Sequence, residues 1–242
     1  RENMTNNNQN TPALEAMSFY HPHGMVPAWK NAMDFGGANG RVATLPDIIA
    51  ARLGTKAAPS SFAWDNHLTT ATAEYVGISA SGRKVIIVAH GVGPMATIEG
   101  VLKAYSWEYK DKERNRRGGR ITQEEFLKLE AGHYGPVSVV DMDELLGRYK
   151  YALYEVLTES QSIAEPLMKA RLGANYKRYL RKHAVACRDY QEGHYKRKDP
   201  HIIRMESSSN CSYVYKQIEP GYALAHLLSI TQAQGLGHSS GN

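Results

Sequence analysis

Cysteine is scarce in this 242-residue chain, which contains only Cys187 and Cys211. Two cysteines are too few for a disulfide framework, and their spacing does not suit a zinc site. We therefore expect an intracellular protein, located in the mitochondrial matrix or the cytoplasm. Ten histidines are present, but none forms an HExxH motif or a similar paired spacing, so we expect no metal site.

Long hydrophobic runs are also missing. Val85 to Ala89 and the serine-interrupted stretch Val137 to Val140 fall far short of the roughly 20 apolar residues that cross a bilayer, so we expect no membrane span. A composition of 42% apolar and 22% charged residues is typical of a folded globular protein. We expect a flexible N-terminal arm at 1–16, a single α/β domain at 17–235 and a flexible tail at 236–242.

Two segments show the pattern of a strand that leads through a turn into a helix. The β-branched run Lys84 to Ala89 is followed by a glycine-rich turn, and helical spacing begins near Met95. Pro136 to Val140 predicts a second strand, which leads through acidic residues into a helix at 145–157. These units predict an open mixed or parallel sheet flanked by helices, with ligands at the carboxyl ends of the strands.

Further helices are predicted from apolar spacing and from terminal residues, and they make the C-terminal half largely helical. They are expected at Pro46 to Leu53, Thr122 to Glu130, Ser162 to Leu172 and Ala174 to Cys187. Thr122 and Glu125 have the spacing of a capping box. Tyr176, Tyr179 and Leu180 are interpreted as core residues rather than as base-binding groups. The segment Met17 to Met33 mixes aromatics, prolines and histidines, which favours irregular structure.

Positive charge is unevenly distributed, although the net charge is only +5. Basic residues are concentrated at 110–120 and at 171–198. Such clusters attract phosphates or acidic surfaces, and contacts with RNA phosphates are one interpretation. Solvated helix faces are the other.

Three stretches could contribute to an anion or sugar site. The turn with Gly91 and Gly93 brings backbone N–H groups and a helix N-terminus close together, as phosphate-binding turns do. The glycine-rich loop at 36–40 precedes Arg41, whose guanidinium suits a phosphate. The carboxylate of Glu206 can accept hydrogen bonds from vicinal hydroxyls. The structural alternatives are a tight connection for the turn and a surface acid that balances Arg204 for Glu206.

In this order, these stretches resemble the nucleoside phosphorylase family, which includes the uridine and purine nucleoside phosphorylases. The matching segments are an early histidine (His21 or His23), Gly37 to Val42, Gly82 to Pro94, and Met205 to Ser207. The resemblance implies a phosphorylase-like fold. It implies that phosphate is bound by Gly37, Gly40, Arg41, Gly91 and Gly93, and that ribose is bound by His21, His23 and Glu206.

The resemblance is incomplete, because the loop has Ala38 and Asn39 where the family has Asp-Pro. After Glu219 no acidic or basic side chain other than histidine remains to read a base. We therefore expect a degenerate phosphorylase retained as a non-catalytic subunit of a larger assembly, with no confident catalytic residue. No cofactor is expected, and phosphate would be a co-substrate or a vestigial ligand. The alternatives are an active nucleoside phosphorylase and a basic RNA-contacting component of a ribonucleoprotein.

One acidic cluster has two interpretations. Asp141, Asp143 and Glu144 follow the second predicted strand, where they could bind a metal or act as acid and base. Acids in the first turn of a helix also interact favourably with the helix dipole, and we favour that structural role.

Overall fold

The computed structural model of the chain describes residues 25–39, 41–54, 68–106, 119–145, 155–183, 202–205 and 221–230. The helices are α1 (Met25–Gly36), α2 (Leu45–Gly54), α3 (Ile98–Ser106), α4 (Gln123–Glu130), α5 (Glu159–Ala164), α6 (Pro166–Leu172) and α7 (176–183). The strands are β1 (Leu68–Ile78), β2 (Lys84–His90), β3 (Gly119–Thr122), β4 (Ser138–Asp141), β5 (Glu155–Thr158), β6 (Ile202–Met205) and β7 (Tyr222–Ile230). Short 3-10 turns lie at Gly37–Asn39 and Met142–Glu144. Among these helices none is long and apolar enough to cross a bilayer.

Five strands form one sheet in the order β3-β7-β1-β2-β4, and every neighbouring pair is antiparallel. The prediction of a mixed or parallel sheet is therefore wrong. β1 and β2 are joined by a short turn, in which the Ser79 amide donates to the Arg83 carbonyl at 2.8 Å and Gly82 has φ 79°. Such a turn can join only antiparallel strands, since a parallel pair needs a long crossover. β5 and β6 form a separate antiparallel pair.

Helices cover both faces of the five-stranded sheet. On one face, Trp29 of α1, Val101 of α3 and Phe126 of α4 pack against Tyr75 and Ile87. The other face is covered by α2, α6 and α7 through the clusters that contain Ile49, Leu167 and Leu180. The sheet is thus the middle of three layers. Strand β2 is apolar on both faces for the same reason that strands of parallel sheets are.

Several local predictions are confirmed. Val85 to Val88 is a buried interior strand, paired with β1 on one side and β4 on the other. The predicted capping box is present, because Thr122 Oγ1 accepts from the Glu125 amide at 3.2 Å and Glu125 Oε2 accepts from the Thr122 amide at 2.9 Å. α2 lies where apolar spacing placed it, and α3 begins at Ile98 rather than near Met95. The helix expected at Ser162 to Leu172 is divided at Glu165 into α5 and α6, and of the helix expected at Ala174 to Cys187 the structure describes 176–183 as α7.

Other local predictions are wrong. The segment interpreted as irregular contains helix α1 from Met25 onward. The helix expected at 145–157 is not formed at its end, where Glu155–Thr158 is strand β5. The largely helical C-terminal half also contains β6 and the long strand β7. The expected arm at 1–16 and tail at 236–242 lie outside the described residues, and the single domain at 17–235 stays a prediction.

Candidate functional site

Two of the predicted phosphate-binding segments meet at the end of the sheet where β1 begins and β2 ends. The Ala71 amide of β1 donates to the Ala43 carbonyl at 2.9 Å, and the Ala71 carbonyl accepts from the Gly91 amide at 2.9 Å. A Cβ atom built on Gly91 would lie 3.4 Å from Thr44 Cγ2. The segment that follows Arg41 and the Gly91 turn are therefore neighbours, as expected if they share a site.

The remaining predicted site residues are not tested by this arrangement. Gly37 has φ 60° and opens the short 3-10 turn before Arg41. His21, His23, Gly40 and Glu206 lie outside the described residues. Convergence of Glu206 with Arg41 therefore stays a prediction.

Arg41 is held by a carboxylate of its own chain. Its Nη1 and Nη2 donate to Asp47 Oδ2 and Oδ1 at 2.6 Å and 3.0 Å. Asp47 Oδ2 also accepts from the Thr44 amide at 2.7 Å and the Thr44 hydroxyl at 2.6 Å, at the N-terminus of α2. Burial opposes ionisation of Asp47, but these hydrogen bonds outweigh it and lower the pKa of the carboxyl. A phosphate at Arg41 would have to compete with this ionised partner.

His90, at the end of β2, is a structural connector. Its Nε2 lies 3.0 Å from the Ala170 carbonyl of α6, which can only accept, so Nε2 carries the hydrogen. In the neutral ring Nδ1 then accepts from the Thr72 hydroxyl, 2.9 Å away, and Thr72 Oγ1 accepts from the Leu45 amide at 2.8 Å. Burial lowers the pKa of His90 despite the opposing effects of Ala170 and Asp47. One neutral ring thus links β1, β2, α2 and α6.

Backbone conformation and packing explain why the turn contains Gly91 and Gly93. Gly91 and Gly93 have φ 70° and 99°, which side-chain-bearing residues rarely adopt. A Cβ atom on Gly93 would approach Leu129 Cδ1 to 3.0 Å and the Tyr75 hydroxyl to 3.2 Å. That hydroxyl accepts from the Met95 amide at 3.1 Å. The turn is therefore tightly packed on the core, and its glycines do not by themselves indicate a ligand.

An exposed aromatic residue borders the same turn and was missed by sequence reasoning. A Cβ atom on Gly135 would lie 3.2 Å from Val92 Cγ1, which places the 131–135 turn against the Gly91 turn. Tyr134 on this second turn is 37% exposed. The available signal was a tyrosine between Gly132 and Gly135 directly after a helix.

A buried ion pair lies beneath α6. Arg171 Nε and Nη2 donate to Glu74 Oε1 and Oε2 at 2.8 Å and 2.9 Å, and the two side chains are 6% and 0% exposed. Arg171 belongs to the segment 171–198 that was expected to present positive charge, but it points into the core. His226 of β7 lies opposite Glu74 in the strand register, and its Nε2 has no hydrogen-bond partner among the described residues. Burial lowers the pKa of His226, while Glu74 acts in the opposite direction.

The acidic cluster after β4 has a capping role. Asp141 Oδ1 accepts from the Asp143 amide at 2.9 Å, and Oδ2 accepts from Arg83 Nη1 at 2.6 Å. Asp141 is the N-cap of the 3-10 turn Met142–Glu144, in line with the favoured structural interpretation. Across the described ranges, no group of three or more histidine, cysteine or carboxylate side chains could hold a metal ion.

The two basic segments are described only in part. Of 110–120 the structure describes Gly119 and Arg120, and the Arg120 guanidinium lies 4.1 Å from the ring centroid of Tyr222. Of 171–198 it describes 171–183, where Tyr179 and Leu180 are buried and Tyr176 packs beside them. The interpretation of these three residues as core is confirmed.

No protein-family model matches the sequence, and the comparison with curated proteins yields no match. Among solved structures, a Nanoarchaeota protein described as accommodating massive sequence variation by the C-type lectin fold is similar to this chain. The alignment covers 86% of this chain and 83% of that chain, with a TM-score of 0.58 and 18% sequence identity. The fold resembles a C-type lectin fold. At this level of identity the similarity extends to the fold alone.

This finding overturns the resemblance to nucleoside phosphorylases. The antiparallel five-stranded sheet and the C-type lectin-like similarity contradict a phosphorylase-like fold. The interpretation of the chain as a degenerate phosphorylase, or pseudoenzyme, loses its basis, and no observation supports a mitochondrial assignment. The phosphorylase motifs were short glycine-rich segments, and the structure accounts for Gly91 and Gly93 by backbone conformation and packing.

Proposed function

We propose that this chain is a non-catalytic binding protein that recognises a partner as part of a larger assembly. The observation that carries the proposal is the similarity to a C-type lectin fold that, in the Nanoarchaeota protein, accommodates massive sequence variation. A fold can accept such variation only where its core is independent of the varied side chains. In this chain the apolar clusters lie on the two faces of the sheet, so the turns at its ends are available for recognition.

The best candidate for the recognition surface is the end of the sheet described above. We call it the turn surface and define it as Arg41, Gly91 to Gly93 and Tyr134. Tyrosine and arginine are common anchors of protein interfaces, and tyrosine loses little conformational freedom on binding because it has only two side-chain torsions. Arg41 is preorganised by Asp47, and Tyr134 lies on a turn packed against the Gly91 turn. Both anchors would therefore bind at a low cost in entropy.

The titratable groups near the turn surface favour binding over catalysis. A general acid or base must exchange a proton with a substrate within hydrogen-bond reach. Both ring nitrogens of His90 have partners inside the fold, and the Asp47 carboxylate accepts from Arg41 and Thr44. Catalytic use of either group would require these contacts to break.

The test is the native mass of particles that contain the chain, measured after gentle purification from its source cells. We expect a heteromeric particle, and Tyr134→Ala is expected to release the chain from it. Leu102→Ala is the matched control, since Leu102 is a large apolar residue on α3 that is 52% exposed and lies outside the turn surface. Thermal unfolding of both variants should match that of the wild type.

Two results would contradict the proposal. One is a native mass that corresponds to the chain alone or to copies of it. The other is a heteromeric particle that Tyr134→Ala and Arg41→Ala leave intact while Leu102→Ala disrupts it, which would place the contact elsewhere.

A further inference from the structure

Helix α7 has one apolar and one basic face. Tyr179 and Leu180 are buried in the cluster formed with α2 and α6. Positions 177, 178, 181 and 182 lie on the opposite side at helical spacing. We call this set the basic face: Lys177, Arg178, Arg181 and Lys182. The helix contains no acidic residue, so its outward surface has a single sign of charge.

The positive charges of the basic face destabilise the helix that carries them. Lys177 and Arg178 lie in the first turn, where the helix dipole disfavours cations. Lys177 with Arg181, and Arg178 with Lys182, are like-charged pairs at i,i+4 spacing. Burial lowers the pKa of Lys182, and the charge of Arg178 lowers it further. Repulsion within the face is therefore present in the isolated chain.

Among the residues that the structure describes, acidic groups compensate the charges of Lys177, Arg178 and Arg181 only weakly. Arg181 Nε lies 4.0 Å from Glu159 Oε1, and both side chains are well exposed, so solvent screens the pair. The Lys177 ammonium lies 5.8 Å from the centroid of the Tyr176 ring. Lys182 Nζ donates to the Arg52 carbonyl at 2.9 Å, which holds this side chain against α2. An external polyanion would supply the missing negative charge.

The surroundings of the basic face indicate the class of polyanion. A membrane-bound helix inserts apolar side chains, and a protein interface usually has an apolar or aromatic anchor. The exposed large apolar residues of the described chain are Phe35, Leu102, Tyr134 and Val139, and none is on α7. The apolar side of α7 is already buried in the core. A ligand that offers only regularly spaced charge, such as a phosphate backbone, fits this surface best.

We propose that the basic face of α7 binds the phosphate backbone of a nucleic acid independently of base sequence. This surface is separate from the turn surface and goes beyond the proposed function. Arg171, in the same basic segment, takes no part, because its guanidinium is bound to Glu74 in the core. The contacts come from Lys177, Arg178 and Arg181, with Lys182 adding to the local potential.

The experiment measures binding of the full chain to a fluorescein-labelled 20-nucleotide oligouridine RNA by anisotropy, over a series of KCl concentrations. The variant is Lys177→Gln/Arg178→Gln/Arg181→Gln, in which Lys182 is kept because of its contact with Arg52. Each phosphate contact to a single strand contributes about 0.7 to the slope of log K against log salt. We expect the slope to fall by about 2 and affinity at 0.1 M KCl to fall on the order of 100-fold.

The matched control removes the same charge from the opposite side of the sheet. Lys30, Lys103 and Lys128 are exposed on α1, α3 and α4, where they pair with Asp34, Glu125 and Glu124. The variant Lys30→Gln/Lys103→Gln/Lys128→Gln should bind the RNA with an unchanged salt slope. Circular dichroism melts should show that both triple variants remain folded.

The proposal is overturned if both triple variants lose affinity equally, because net charge alone would then explain binding. It is also overturned if the wild type binds polyglutamate or phosphatidylserine vesicles in preference to the RNA, or binds none of the three. Single substitutions provide a second arm: Lys177→Gln, Arg178→Gln and Arg181→Gln should each lower the salt slope by about 0.7.

Discussion

The buried pair of Glu74 and Arg171 allows a sharp test of how the sheet is joined to α6. The two side chains are 0% and 6% exposed and are connected by two hydrogen bonds of 2.8 Å and 2.9 Å. Removal of one partner leaves a charge that is out of water and has lost its counter-ion, which typically costs about 3–5 kcal/mol. We expect Glu74→Leu and Arg171→Met each to lower the free energy of unfolding by about that amount.

The double variant Glu74→Leu/Arg171→Met should behave differently from both single variants. It removes both charges together and fills the space with apolar side chains, so its stability should be close to that of the wild type or up to about 4 kcal/mol greater. Urea unfolding followed by circular dichroism measures all four proteins of the cycle. An exposed pair is the control, since Arg83→Met breaks the contact with Asp141 and should cost at most about 1 kcal/mol.

His226 gives this prediction a dependence on pH. In the wild type, burial lowers the pKa of His226, so its contribution to stability is present above the unfolded pKa and declines as the pH falls. In Arg171→Met the Glu74 carboxylate loses its guanidinium, and a protonated His226 replaces it as the neighbouring cation. The folded pKa of His226 should then rise above the unfolded value, and the destabilisation should be smaller at pH 5.5 than at pH 8. Additive losses in the double variant, with no such pH dependence, would refute the reasoning.

Three further outcomes are expected. Burial lowers the pKa of His183 to about 4, so the unfolded chain binds a proton at a higher pH than the folded chain does. The free energy of unfolding should therefore fall by about 3 kcal/mol from pH 6.5 to pH 4, and urea unfolding of His183→Phe should show a smaller loss. In thermal unfolding, Gly93→Ala should destabilise the fold by about 1–3 kcal/mol, because the φ of Gly93 is 99° and the new Cβ meets Leu129. Gly82→Ala should lose less stability in the same assay, because Gly82 has φ 79° but open space around it. Lys177→Glu should stabilise the fold by about 0.5 kcal/mol and so raise its melting temperature. A melting temperature below that of the wild type would contradict the electrostatic account of α7.

Strands β2 and β4 could be predicted from the sequence, whereas β1, the other neighbour of β2, could not. Val85 to Val88 is continuous and β-branched, so its burial is evident from the residues alone. In β1, Thr72 and Glu74 interrupt the apolar pattern, and their burial is explained only by His90 and by Arg171, which is 97 residues away in the chain. A local sequence pattern does not reveal partners that are so far away in the chain. The direction of the strands was missed because burial on both faces does not distinguish parallel from antiparallel sheets.

The candidate site was predicted in part. The proximity of the Arg41 segment and the Gly91 turn was expected, but on the basis of a family resemblance that the fold contradicts. The partner of Arg41 is Asp47, six residues away; Thr44 and Asp47 have the spacing of a capping box, but that spacing does not indicate that the acid also binds an arginine. Tyr134 was missed because its position depends on the packing of Gly135 against Val92. Sequence reasoning therefore found the backbone of the site more readily than its side-chain contacts.

Charged side chains that point into the core and charged side chains that point outward have different roles. The first group acts on stability, and the second is available for recognition. The inward charges of Glu74 and Arg171 neutralise each other, so their removal acts on folding. The outward charges of Arg178 and Arg181 lie one residue away from the buried Tyr179 and Leu180, so they can be replaced without a change in the core. A loss of RNA affinity without a loss of stability in the α7 variants would therefore identify a surface whose sequence serves a partner rather than the fold.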